Sequence, residues 1–132
     1  MNIKYKAIRL LRLNFTLNRQ KEVKPPCYVT VRFDVENNLD RDKHLLTTVL
    51  TATLKTQEEP EIFAIEASME GVFEGDNNDD LQKFSEVHAP AHLFPFIRET
   101  IANITLKAGI PPVLLPPMNL LAAAGEKPKD DR

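Results

Sequence analysis

Two histidines, His88 and His92, are the residues of this chain that most resemble a metal site. They are four residues apart, and on a helix that spacing places both imidazoles on one face, as in helical zinc sites. Pro90 lies between them and argues against a regular helical turn, and the sequence offers no evident third ligand. The favoured interpretation is therefore two surface histidines at the start of a helix, and we expect no metal.

The acidic run that begins at Asp76 has the composition of a calcium loop but not its pattern. Counted from Asp76, the position that needs glycine holds Leu81. The position that needs a bidentate glutamate holds Val87. We interpret the segment from Gly75 to Glu86 as a polar, solvated linker.

The candidates for covalent or acid–base chemistry are Cys27, Glu66 and Glu70. Cys27 is the only cysteine, so no intrachain disulfide can form, and no His or Asn partner can be assigned to it. Glu66 and Glu70 share one face of a predicted strand, a spacing that is common on wet sheet faces. The four glycines are not clustered into a phosphate loop. The sequence thus predicts no catalytic residue and no cofactor.

The composition is that of one soluble domain. The chain has 132 residues, of which 42% are hydrophobic and 27% charged, with a formal net charge of -2. That charge argues against general nucleic-acid binding, which needs clustered Lys and Arg. No apolar run is long enough for a membrane span or resembles a signal peptide, so we expect a cytoplasmic protein without membrane insertion.

Four segments alternate apolar and polar residues with the period of two that is typical of strands. They run over Leu11–Leu17, Val29–Glu36, His44–Lys55 and Ile62–Phe73. The connections between the last three are short, as in hairpins, whereas the loop after the first segment is longer. The pattern therefore predicts a four-stranded antiparallel sheet whose first two strands need not be neighbours.

A helix is predicted after the sheet, from about Leu93 to Ala108. Its stripe recurs at helical spacing at Leu93, Ile97, Ile101, Ile104 and Ala108. Pro95 is tolerated only in a first turn, which places the start near Leu93. Gly109 suits a left-handed cap, and Pro111-Pro112 prevents the helix from continuing. The fold class is therefore α+β, with the helix on one side of the sheet.

One helix covers only part of a four-stranded face, and the other face is not fully polar. The apolar residues predicted on or near that other face are Ile8, Leu10, Leu45, Val49, Ile62 and Val72. Surplus apolar surface on a small domain indicates a partner surface. We expect homo-oligomerisation, because a sheet edge can pair with its symmetry mate.

The segment around the predicted helix resembles the SecB family of protein-export chaperones. The helix opens on the motif Leu93–Glu99, LFPFIRE, and is closed by Gly109. The segment Pro117–Leu120, PMNL, is similar to a family motif, and Glu70–Phe73, EGVF, is similar to the end of the family's fourth strand. The likeness covers roughly residues 6–123.

This resemblance implies one SecB-like domain over residues 1–124, with a short C-terminal helix over 118–124 and a polar tail over 125–132. It implies a homotetramer, a dimer of dimers, that holds preproteins unfolded for the SecA motor of the Sec translocase. Site residues carried over from the family are Val31, Phe33, Leu120 and Leu121 for the client and Glu66 for SecA. The resemblance assigns the oligomer interface to the helix stripe Leu93, Ile97, Ile101 and Ile104.

Three functions stay open at this point, besides a purely structural oligomer subunit that has no client. The first is an ATP-independent holdase for export. The second is a SecB-like chaperone dedicated to a toxin–antitoxin pair, which is suggested because Asn14 and Asn18 replace acidic residues of the SecA-docking face. The third is a small hot-dog-like hydrolase or isomerase, for which His88, His92 and Glu99 are the candidate residues.

Overall fold

The computed structural model describes residues 2–23, 28–58 and 60–115 as one sheet with two helices. The strands are β1 (Ile3–Leu17), β2 (Val29–Asp40), β3 (Leu45–Thr56) and β4 (Phe63–Gly75). The helices are α1 (Asn78–Glu86) and α2 (His88–Lys107). The predicted C-terminal helix over 118–124, the polar tail, Cys27, Leu120 and Leu121 lie outside the described residues. Neither described helix is long and apolar enough to cross a membrane.

The sheet is antiparallel throughout, with strand order β1-β4-β3-β2. The predicted hairpins β2–β3 and β3–β4 are confirmed, and β1 lies beside β4 rather than β2, as the longer loop allowed. His44 closes the β2–β3 hairpin with a positive φ of 56°. The order leaves β1 and β2 as the two edges, so these two consecutive strands are not neighbours in the sheet.

Among the described residues, the helices cover one face of the sheet and leave the other open. In β3 the helix-facing side chains are buried and alternate strictly with less buried ones. The main core joins this face to α2 and includes Leu50, Leu54, Ile65, Leu93 and Ile97. A second cluster under α1 contains Leu46, Phe73, Leu81, Phe84 and Ala89.

Two bulges in β1 change which of its residues face the core. The register with β4 shifts between Tyr5 and Ala7 and again between Leu10 and Arg12. Each extra residue reverses the sense of the alternation, so Ile8 and Leu13 both pack against the main core. The prediction that Ile8 lies on or near the open face is therefore wrong. Ile62 was predicted there too, and it is instead a core residue, 3% exposed.

The segment predicted as a polar linker contains helix α1. Asn77 caps it, because its Oδ1 accepts a hydrogen bond from the Asp80 backbone N–H at 2.8 Å. Leu81 and Phe84, three residues apart, are buried beneath it. The linker prediction failed because the helix buries only one narrow apolar stripe, and this stripe is surrounded by acidic and polar residues.

Helix α2 starts at His88, five residues earlier than predicted. Pro90 lies in its first turn, where a missing N–H costs little, and Pro95 is the eighth residue, inside the helix. The other end agrees with the prediction: α2 ends at Lys107, and Gly109 has the expected left-handed conformation with φ of 79°. Leu93, Ile97 and Ile101 are fully buried against the sheet.

Candidate binding groove

A groove with a mixed apolar and polar lining lies where the end of β1 meets the chain that leaves α2. Its cavity has a volume of about 520 Å³. The apolar part of the lining comes from Leu17 and Val23 on one side and from Ile110 and Pro111 on the other. The groove is open to solvent, so a segment that lies across it fits better than a molecule that must be enclosed.

The first wall of the groove is the loop Asn18–Val23, which Asn18 anchors. The Asn18 backbone N–H donates to the Ile62 carbonyl at 2.7 Å, and the Lys21 N–H donates to the Asn18 carbonyl at 3.2 Å. The Asn18 side-chain oxygen accepts from the Gln20 N–H at 2.9 Å, and its amide donates to the Glu61 carbonyl at 3.5 Å. This is an Asx-type turn, in which the side chain replaces backbone turn hydrogen bonds.

The second wall is formed by residues 108–111. They are the first part of the segment Ala108–Leu115, which we call the strap. Thr105, fully buried near the end of α2, holds it. The Thr105 carbonyl accepts from the Ile110 N–H at 3.3 Å, and its Oγ1 accepts from the Val113 N–H at 2.9 Å. The same hydroxyl donates within α2, to the carbonyls of Ile101 and Ala102. Leu115, at the far end of the strap, is buried in the core.

The charged residues on the groove lie at its first wall. Arg19, Lys21 and Glu22 line the cavity together with Asn18, so the wall carries two positive charges and one negative charge. The lining contains no thiol, imidazole or hydroxyl nucleophile among its described residues. Apolar walls with a charged rim suit reversible binding of an apolar segment and offer no group for chemistry on it.

The predicted client residues Val31 and Phe33 do not line this groove. Both lie on the helix-facing side of β2, paired with Leu54 and Ala52 of β3. Val31 is half-buried, whereas Phe33 is 8% exposed and packs against Phe94 with ring centroids 5.9 Å apart. Client contact at these positions stays a prediction, and Val31 has more accessible surface for it.

The groove residues Leu17, Val23, Ile110 and Pro111 are not among the client-binding residues named from the sequence. Ile110 and Pro111 were interpreted only as punctuation after the helix, and Val23 lies in a loop without periodicity. The available signal was the isolated apolar residue Val23 within the polar loop. Nothing in the sequence order places that loop beside the strap, because their proximity depends on β1 lying next to β4 and not next to β2.

The predicted oligomer stripe on α2 needs a correction. Leu93, Ile97 and Ile101 are fully buried within a single chain, and Ile104 is partly buried against the same core. The first three side chains contact their own sheet and cannot meet another subunit without opening this core. Exposed apolar residues on the helix are instead Phe96 and Leu106, which are 43% and 61% exposed.

The predicted SecA-docking residue Glu66 lies on the open face in a row of ion pairs. Its Oε1 is 3.6 Å from Arg12 Nη1 and accepts from the Asn14 side-chain amide at 3.2 Å. The next pairs along β1 and β4 are Arg9–Glu70 at 2.7 Å and Lys6–Glu74 at 3.8 Å. Each of these β4 carboxylates therefore faces a cation on β1. Arg12 and Glu66 also help to line a broad hollow of about 790 Å³ on this face.

His88 and His92 lie in a regular helix, which corrects the inference drawn from Pro90. Both imidazoles are exposed and stack on Phe84, with centroids 5.7 and 5.6 Å away, and the Tyr5 hydroxyl is 2.7 Å from Nδ1 of His92. Within the residues described, no three His, Cys, Asp or Glu side chains come together as a metal site.

Glu99 is exposed seven residues beyond His92, about 10 Å along the axis at 1.5 Å per residue. The candidate hydrolase residues thus do not converge on a shared site.

Comparison with known proteins relates the chain to protein-export chaperones. The Nitrosomonas europaea protein-export protein SecB is 33% identical over 98 residues, which cover 72% of this chain and 61% of the relative. The Chromobacterium violaceum protein-export protein SecB is 38% identical over 79 residues, 58% of this chain and 52% of the relative. An uncharacterized protein of Methanocaldococcus jannaschii is 29% identical over 123 residues, 89% of this chain and 79% of the relative. The chain thus spans about three fifths of the length of the first of these relatives.

A solved structure has the same fold. The SecB-like chaperone of Mycobacterium tuberculosis, in complex with a peptide from the HigA1 antitoxin, superposes with a TM-score of 0.77 at 19% identity. The match covers 89% of this chain and 91% of that one. The family model described as preprotein translocase subunit SecB matches residues 13–126, far more than half of the sequence. The chain therefore belongs to the SecB family.

Proposed function

We propose that this protein is an ATP-independent holdase that binds unfolded preproteins and keeps them competent for export through the Sec translocase. The observation that carries the proposal is the open groove between the loop Asn18–Val23 and the strap, which combines apolar and charged side chains. An open groove accepts an extended chain but not a folded surface. The sequence relatives named as protein-export proteins support the export assignment.

The proposed mechanism needs no nucleotide. A protein that binds the unfolded state shifts the client's folding equilibrium by mass action. Each apolar client side chain that is buried contributes about 1.5–3 kcal/mol. Ordering the flexible client offsets much of this gain. Several grooves acting on one chain raise the overall affinity, which favours a homotetramer arranged as a dimer of dimers. The protein would act in the cytoplasm and catalyse no reaction.

SecA is the proposed receiver of the client, and Glu66 is its proposed docking residue. The pairing of Glu66 with Arg12 and Asn14 lowers the negative charge that Glu66 presents to a basic partner. This observation favours a weak SecA contact. It also supports a second candidate function, a chaperone that protects the antitoxin of a toxin–antitoxin pair. The bound antitoxin peptide of the Mycobacterium tuberculosis protein gives that candidate a precedent in the same fold.

A refolding experiment tests the proposed holdase. A chemically unfolded preprotein is diluted into buffer with equimolar purified protein and no nucleotide, and the recovery of its native fluorescence is followed. We expect refolding to be slowed strongly, and adding SecA should release the client if the export assignment holds. Refolding at the rate of a control with serum albumin would refute the holdase. Arrest that SecA cannot relieve, with relief by a competing antitoxin peptide, would favour the second candidate.

A further inference from the structure

Each wall of the groove has one polar residue next to it that makes several hydrogen bonds. The start of the strap is also held by its backbone, because the N–H groups of Ala108 and Gly109 donate to the carbonyls of Ile104 and Leu106. Thr105 holds the strap and Asn18 holds the loop, and each makes several hydrogen bonds. Neither was singled out as part of a binding site by its residue type. Their hydrogen bonds hold the two walls in position and therefore affect the width of the groove and its rigidity.

Because the strap contains two consecutive prolines, the attachment of Val113 depends on the Thr105 side chain. Pro111 and Pro112 have no backbone N–H. Within residues 110–113, only Ile110 and Val113 can therefore donate a backbone hydrogen bond. Both donate to Thr105, Ile110 to its carbonyl and Val113 to its Oγ1. If the hydroxyl is lost, the Val113 N–H has no partner in this arrangement, and that part of the strap is held only by packing.

The loop wall depends on Asn18 in a similar way. The Asn18 backbone continues the β1–β4 side of the sheet by donating to Ile62, and its side-chain oxygen fixes the turn through Gln20. The residues that follow the turn, Lys21 to Val23, line the cavity. Removing the side chain leaves the strand in place but releases the turn that sets the position of Val23.

We propose that Asn18 and Thr105 are positioning residues that set the separation of the two groove walls and thereby the affinity for apolar client segments. This inference rests on the proposed holdase function. The family resemblance related Asn18 to the SecA-docking face. The proposal gives it a different role, at the groove. A preformed groove binds more tightly because less ordering is needed when the client arrives.

Thr105 is tested with an isosteric pair of variants. Thr105→Val keeps the buried volume but removes the hydroxyl, and Thr105→Ser keeps the hydroxyl. The probe is a fluorescein-labelled unstructured peptide rich in leucine and phenylalanine, with affinity measured by anisotropy. We expect Thr105→Val to weaken binding about fivefold, the effect of losing one hydrogen bond of about 1 kcal/mol. Thr105→Ser should restore most of it.

The matched control is Thr100→Val. The Thr100 hydroxyl donates to the Phe96 carbonyl within α2 at 2.8 Å, as Thr105 does to Ile101, but it does not reach the strap. Thr100→Val should leave peptide affinity unchanged. Hydrogen exchange adds a readout that does not need the peptide: in Thr105→Val the Val113 amide should exchange at least tenfold faster, whereas in Thr105→Ser and Thr100→Val it should stay protected.

Asn18 is tested by Asn18→Ala against Asn14→Ala, a change of the same size within β1, at a side chain that contacts Glu66 instead of the loop. We expect a severalfold loss of peptide affinity for Asn18→Ala and none for Asn14→Ala. Equal affinity in wild type, Thr105→Val and Asn18→Ala would overturn the positioning roles and leave the holdase intact. A wild-type protein that does not bind the peptide would overturn the holdase, and the positioning roles with it.

Discussion

The Arg12 guanidinium lies 3.6 Å from the Glu66 carboxylate, and this pair joins edge strand β1 to β4 on the open face of the sheet. The side chains of Arg12 and Glu66 are 62% and 38% exposed. Water and salt therefore screen the pair, and it adds little to folding stability. Its larger effect is on the electrostatic field of the face, because it opposes the negative charge that Glu66 would show to an approaching partner.

Removing Arg12 should expose that charge. We expect Arg12→Ala to strengthen the binding of SecA about two- to fivefold at low salt and to change the unfolding free energy by less than about 0.5 kcal/mol. Calorimetric titration and urea unfolding measure the two quantities. Arg32→Ala, which removes the partner of Asp34 on β2 instead, serves as the control. An Arg12→Ala protein with wild-type SecA affinity would remove Glu66 from the docking surface.

Gly71 is required where α2 crosses β4. A Cβ at this position would lie 2.8 Å from Phe73 Cζ and 2.9 Å from Leu93 Cδ2, both in buried side chains. We expect Gly71→Ala to lower the unfolding free energy by about 1–3 kcal/mol through overpacking. Urea denaturation gives the value, and a neutral result would mean that α2 does not approach the strand this closely.

Gly109 provides the contrasting case. A Cβ there meets nothing within 4 Å, but the backbone has φ of 79°. Gly109→Ala should therefore cost about 1–2 kcal/mol through backbone strain and not through packing. Asparagine tolerates this conformation better than alanine, so Gly109→Asn should be more stable than Gly109→Ala. The same denaturation series checks this, and equal stability of the two variants would argue against a backbone origin.

Pro95 should be a destabilising residue that can be replaced. It is the eighth residue of α2, so it lacks the N–H that would donate to the Ala91 carbonyl. We expect Pro95→Ala to raise the unfolding free energy, by up to about 3 kcal/mol from helix propensity. Thermal unfolding measures the gain. A lower melting temperature would show that the proline is accommodated by a bend on which the packing of α2 depends.

Variants of Ile110 and Leu114 can distinguish client contacts in the groove from client contacts elsewhere on the strap. Ile110 lines the groove, whereas Leu114 is in the same strap and is 64% exposed but is not among the groove residues. We expect Ile110→Ala to weaken peptide binding about five- to thirtyfold, since roughly 1–2 kcal/mol of apolar burial is lost. Leu114→Ala should bind normally. Comparable losses in both variants would place the client elsewhere on the strap.

The sheet was predictable because its strands alternate with a period of two, and strict alternation in β3 is what the structure shows. The strand order was only partly predictable: the length of the loop after β1 indicated that β1 and β2 need not pair, but not that β1 pairs with β4. The bulges at β1 reverse the alternation locally, so Ile8 was assigned to the wrong face.

The helices and the groove show which features local sequence rules predict and which depend on tertiary structure. The Gly109 cap was predicted correctly because a positive φ and the following prolines are local properties. The start of α2 was missed because two prolines, Pro90 and Pro95, both lie within the helix and only one can mark its first turn. The groove was missed because it joins residues from the end of β1 and from the strap, which only tertiary structure brings together.

Aggregation of a reduced, unfolded test protein, followed by light scattering without ATP, tests the holdase most directly. The purified protein is titrated against a fixed client concentration, with its oligomeric state measured by light scattering in the same buffer. We predict an oligomer, specifically a tetramer, that suppresses aggregation at a near-stoichiometric ratio, with Ile110→Ala requiring a higher ratio. A monomeric protein that leaves the aggregation curve unchanged at every ratio would contradict the proposed function.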